Sequence, residues 1–148
     1  METKIQKEYL DYGFGFPVRL RNVPMVKVRG EWTPKVDYNL LTRNVLRGLA
    51  FKPSRLTGNE IKFIRQHFEM TLQVFAKRFC VTHVAVLKWE KMKDLSTVMN
   101  WTTEKDIRLS VLSKLSSKSS ELAKLYSELE NLPSEKASSL YFDIKEIA

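Results

Sequence analysis

Two short stretches with helical apolar spacing, 72–79 and 83–92, are separated only by Cys80-Val81-Thr82. So few intervening residues leave no room for a flexible connection, and the stretches are expected to pack together as short helices meeting at a tight turn. Thr71 and Thr82 stand immediately before them, where a hydroxyl can accept an otherwise unpaired N–H of the first helical turn. Phe75, Phe79, Val81, Val86 and Trp89 fill the positions where such helices cross, and Ala76 supplies the small residue that permits close approach. Upstream, Thr57-Gly58-Asn59-Glu60 forms a capping box that opens a helix carrying Ile61, Ile64 and Phe68 on one face and ending near Glu69. These dimensions are those of a helix-turn-helix.

The flanking regions have other periods. Phe16, Val18 and Leu20 alternate with Arg19 and Arg21, and Val26 and Val28 with Lys27 and Arg29, the signature of half-buried antiparallel strands. Gly30 and Glu31 turn the chain into a third short strand around Trp32 to Val36. Pro17, Pro24 and Pro34 restrict all three to short or edge positions, because proline has no N–H for the ladder. Asp37 then caps a helix over 38–50, with Leu41, Val45 and Leu49 on one face, which Lys52-Pro53 stops. After the central helices, Thr103 with Asp106 suggests a capping box for a helix over 104–115 bearing Ile107, Val111 and Leu115, with Trp101 as a core plug. Leu115, Leu122 and Leu129 recur every seven residues, with Leu125 and Leu132 between them. That is the seam of a short coiled coil, interrupted at Lys118, which either packs on its own domain or pairs two chains. Pro133 ends it, and residues 134–148 form a tail, disordered or docked on a partner.

The expected fold is therefore α+β, in three zones. Residues 1–52 make a small antiparallel β domain with a helix, 53–115 the helix-turn-helix domain, and 116–148 a C-terminal amphipathic helix and tail. In a chain of 148 residues, Cys80 is the single cysteine and His67 and His83 the only histidines, so neither a disulfide nor a zinc site is expected. No stretch approaches the roughly 18 apolar residues of a membrane span, and the first twenty-five residues are too charged for a secretion signal. A cytoplasmic protein with no membrane partner is expected. Cys80, beside Phe79 and Val81, reads as a small buried residue rather than a reactive thiol. His67 has no companions at metal-ligand spacing, and Gly13-Phe14-Gly15 is too short for a phosphate loop. No catalytic constellation stands out, so neither an enzyme nor a cofactor is expected. The net charge of +8 instead favours a polyanionic partner. It is carried by residues 1–57 (+6) and 58–115 (+4), whereas 116–148 carry −2.

Through Thr71, Phe75-Ala76, Val81-Thr82 and Lys88-Trp89-Glu90, residues 57–93 resemble the Xre/Cro-type helix-turn-helix family. Cys80 stands where that family prefers a turn glycine, and Leu72 where it has a phosphate-contacting glutamine, with Gln73 one position later. The order Tyr9, Tyr12-Gly13-Phe14, Phe16-Pro17-Val18-Arg19-Leu20, Asn22-Val23, Gly30-Glu31 and Leu56 to Arg65 is similar to MqsA-type antitoxins, which join a YgiT-type zinc finger to a helix-turn-helix. Tyr12, Val28 and their neighbours stand about where that finger has paired cysteines, so zinc binding is not carried over. The resemblance implies a five-helix-type domain whose second motif helix enters the major groove. Thr82, His83, Val84 and Lys88 would face the bases, with Val84 and Lys88 at the two base-reading positions. Thr71, Gln73, Lys77, Arg78, Lys91 and Lys93 would contact the backbone. It further implies a homodimer on double-stranded operator DNA, an antitoxin repressing its own operon, and a cognate toxin engaged through the N-terminal domain or the tail. A stand-alone regulator without toxin, and a protein-interaction module with a vestigial helix-turn-helix, are the alternatives.

Overall fold

The computed structural model describes residues 1–115, 119–129 and 137–147. The architecture is mixed α+β, with a four-stranded sheet and seven helices among those residues. The chain forms two compact units, Met1–Val45 with Ser139–Ala148, and Leu46–Ser138. The sequence-based boundary at residue 52 thus falls instead inside a helix, after Val45, and the C-terminal residues belong with the N-terminal ones.

In the first unit, β1 (Thr3–Asp11), β2 (Val18–Val28) and β3 (Glu31–Pro34) form an antiparallel meander. β4 (Leu140–Asp143) adds in parallel to β2, pairing Val18 with Leu140 through Arg21 with Asp143. Residues 140–143, part of the tail expected to be disordered or bound to a partner, are thus a strand of the sheet. Leu140 and Ile144, the latter opening the short α7 (Ile144–Ile147), are buried there. β1 escapes the alternation test because Ile5, Tyr9 and Leu10 have no common period.

The two expected strands around Pro24 are one. β4 covers residues 18–21 of β2 and β3 covers 25–28, leaving a gap on the same side. Pro24 faces that gap, where its carbonyl accepts from Lys35 N at 2.7 Å, so the missing N–H costs no ladder bond. The buried positions also change parity, from Val18 and Leu20 to Val23 and Met25, across Asn22, whose φ is 54°. Val28, expected to be half-buried, is consequently 45% exposed.

Helix α1 (Tyr38–Phe51) starts where Asp37 Oδ1 accepts the N–H groups of Asn39 and Leu40. It buries Leu41, Val45, Leu46 and Leu49. Tyr38 donates to the buried Asp11; burial first, then the Asp11 carboxylate, push its hydroxyl up to about 12, so it remains a donor.

The second unit holds α2 (Gly58–His67), α3 (Leu72–Arg78), α4 (His83–Lys91), α5 (Trp101–Leu115) and α6 (Ser119–Glu128). Leu56, Ile61, Ile64, Phe75, Val86, Ile107, Leu112 and Leu125 form its core. α5 begins at Trp101, with Asn100 Oδ1 accepting Thr102 N, and the expected Thr103–Asp106 capping box does not form. The physical reason lies inside. Glu104 N already bonds the Asn100 carbonyl at 3.1 Å, so this turn is helix interior, and the fully buried Glu104 side chain turns inward to Arg55 and Arg108. Trp101 is half-buried beneath the Arg55 and Arg108 guanidinium groups. The heptad leucines do not make one continuous seam: α5 and α6 are separate helices in contact, with Leu125 and Leu129 buried within the unit. Lys118 and Leu132 lie outside the described residues.

Candidate nucleic-acid interface

Helix α4 is fixed on one side and bare on the other. Its start is held by the Thr82 hydroxyl, which accepts Ala85 N at 3.1 Å, and its inner side by buried Val86 and Trp89. Arg65 of α2 clamps Glu90 with two bonds of 2.7 and 2.9 Å while donating to the Met70 carbonyl. A bidentate guanidinium–carboxylate pair fixes orientation as well as distance. At the other end of α2, a side-chain carbon on Gly58 would fall on the Trp89 carbonyl and 2.8 Å from Lys93 N. Only glycine allows this approach. The expected capping box is present, with Thr57 and Glu60 exchanging hydrogen bonds.

α3 is capped by Thr71, whose hydroxyl accepts Val74 N at 3.2 Å, and it buries Phe75 and Ala76. The turn into α4 passes through Cys80 at φ 58°, with Val81 N bonded to the Ala76 carbonyl at 2.9 Å. Cys80, standing where a turn glycine was expected, thus takes the left-handed conformation that glycine favours, but its thiol is exposed rather than buried. A residue in that conformation points its side chain away from the helix pair it joins. Phe79 fills the interior instead, its ring 4.7 Å from that of Phe75.

The outer side of α4 exposes His83, Val84, Leu87, Lys88 and Lys91. These positions are three and four apart and form one stripe, opposite Val86 and Trp89. Thr82 is exposed at its start and Lys93, at φ 54°, at its end. On α3, Gln73 and Lys77 are exposed and Thr71 stands at its first turn. Arg78 is different. It donates to Asp106 at 3.3 Å and Ser110 at 2.9 Å, both on α5, so its charge is matched within the unit. Two exposed apolar residues were missed, Val74 at 51% and Leu87 at 38%. Leu87 was legible, since it lies four residues after His83 on the stripe.

The positive charge divides by environment. Lys52 pairs with Glu60 at 2.7 Å, and Arg55 and Arg108 share Glu104, all inside the unit. Arg108 also donates to the carbonyls of Ala50, Lys52 and Ser54. Together with Arg65, these cations act as internal struts. Lys77, Lys88, Lys91 and Lys93 form no ion pair with any described residue, and they supply the positive charge around the α4 stripe.

Among the described residues, no cluster of three or more His, Cys, Asp or Glu could hold a metal ion, and no helix is long and apolar enough to cross a membrane. His67 is exposed, with its ring stacked 6.3 Å from that of Phe63. No protein-family model, curated protein or solved structure matches the chain.

Proposed function

We propose that this chain is a sequence-specific double-stranded DNA-binding regulator that reads the major groove with α4. The observation that carries the proposal is the bare stripe of α4 on a helix pinned from behind by Trp89, Val86 and the Arg65–Glu90 clamp. A helix fits the major groove only with one side exposed, and it specifies sequence only if its rotation is fixed. Lys88 donates to guanine O6 or N7, while Val84, and Leu87 beside it, pack against thymine methyl groups. Thr82 keeps its O–H for donation and His83 adds an imidazole. Thr71, Gln73, Lys77, Lys91 and Lys93 face the phosphates, and Arg78, held by Asp106, contributes least.

Two copies on a palindrome place their reading helices about 10 bp apart or a multiple of it. The resemblance to MqsA-type proteins extends this reading to an antitoxin that represses its own operon and binds a toxin. Fluorescence anisotropy against the duplex upstream of its own gene, with a scrambled duplex as control at about 150 mM salt, tests the DNA reading. A preference of roughly a thousandfold is expected. Lys88→Ala should weaken the specific complex about tenfold or more without lowering stability. Equal, salt-labile binding to both duplexes overturns the proposal.

A further inference from the structure

The face of the N-terminal sheet that carries its charged residues can be read from the strand register. Residues directly opposite on paired strands share a face, which gives two rows: Leu10, Arg19 and Tyr141, then Glu8, Arg21 and Asp143. The rows treat their arginines differently. Both guanidinium groups lie near the Tyr141 ring, but Arg21 stands between two acidic neighbours, and Asp143 is held below its ordinary range first by the Asn22 hydrogen bond of 2.8 Å and also by Arg21.

Arg19 has an aliphatic neighbour on one side and an aromatic one on the other. Its guanidinium carbon lies 5.3 Å from the centre of the Tyr141 ring, and it makes no ion pair or hydrogen bond with another described residue. A cavity of about 320 Å³ opens at this point, lined by Glu8, Tyr9, Leu10, Arg19, Leu20 and Tyr141. Leu10 and Tyr141 are both 43% exposed.

We propose that this cavity binds a small carboxylate on an aromatic or aliphatic body, with Arg19 as its anchor and Leu10 and Tyr141 as its walls. A guanidinium held beside a ring by cation–π attraction makes no hydrogen bond in doing so and keeps its N–H donors for an outside acceptor. That rim matches a planar carboxylate in two parallel bonds. A phosphate dianion suits the site less well, because Glu8, which also lines the cavity, opposes a second negative charge, and Arg21 already has Glu8 and Asp143 beside it. The cavity is at the small end of ligand sites, which fits a body of one ring or a short chain.

The site is independent of the DNA reading, and its test contains no DNA. Phenylacetate, phenylacetamide and inorganic phosphate are titrated separately into the full chain, following amide and side-chain shifts by NMR. Phenylacetate should saturate with shifts centred on Leu10, Arg19 and Tyr141, and bind about tenfold or more tighter than the amide or phosphate. Arg19→Gln should abolish that preference, while Arg21→Gln changes affinity less than about twofold. Both substitutions are at exposed positions, and an unchanged thermal midpoint verifies folding. Absence of saturable binding overturns the proposal, as does equal loss in the two variants or phosphate binding as tightly as phenylacetate.

Discussion

The two units use the same cations in opposite ways. The helical unit takes Lys52, Arg55 and Arg108 into its interior, at 3%, 4% and 0% exposure, and surrounds them with Glu60, Glu104 and four backbone carbonyls. The sheet unit buries none of its described cations: Lys4 and Lys27 lie over Trp32 and Arg19 and Arg21 over Tyr141, a ring contact that exposed Arg78 and Lys114 also make in the helical unit. A small sheet has little interior in which to compensate a buried charge, whereas a helix end and the loop after it offer unpaired carbonyls close together. Net charge is thus a poor guide to a binding face. Part of the +8 is structural, and what remains available is found only after the buried cations are set aside.

Breaking the internal network should have the largest effect. Glu104→Ala leaves the Arg55 and Arg108 guanidinium groups buried without a counter-charge, and should cost about 3–5 kcal/mol by urea denaturation. A loss below about 1 kcal/mol would mean that the carbonyls alone compensate them. The corresponding change outside the sheet, Lys4→Met, removes one cation above Trp32 and should cost no more than about 1 kcal/mol. Similar losses in both variants would erase the contrast between the units.

The left-handed residues sharpen it further. Cys80 has φ 58° with an exposed side chain, so Cys80→Gly should stabilise the helical unit by about 1 kcal/mol. Asn22 has φ 54° in the sheet, but its amide donates to Asp143 at 2.8 Å. Asn22→Gly should therefore bring no comparable gain in thermal stability, because relief of the backbone is offset by the lost bond. The smallest effect concerns pH. The folded Asp143 titrates below its ordinary 3.8, chiefly through the Asn22 bond. Its contribution is present above that value and fades as pH falls through the lower folded one. An acid titration of the β4 amide signals should show this loss, and Asn22→Ala should shift it upward toward the ordinary range.

Much of the candidate interface was legible from local patterns. Thr57, Thr71 and Thr82 announce their helix starts because a cap satisfies N–H groups two or three residues away. The stripe on α4 follows from Val86 and Trp89, since naming the buried side of a helix also names the exposed one. The ion pair of Arg78 with Asp106 was not legible, because its partner is 28 residues distant. Cys80 was misplaced because apolar neighbours in sequence do not share its direction in a left-handed turn.

By itself, the sequence determined the starts of α1 to α4, the turn between α3 and α4, and the mixed α+β composition, all governed by interactions spanning a few residues. Only the tertiary structure decided that residues 140–143 return to pair with β2, that Glu104 serves two buried arginines, and that Arg19 and Arg21 differ in their surroundings. Those outcomes depend on which distant groups meet once backbone and charge must be satisfied together. Periodicity along the chain carries no record of that requirement.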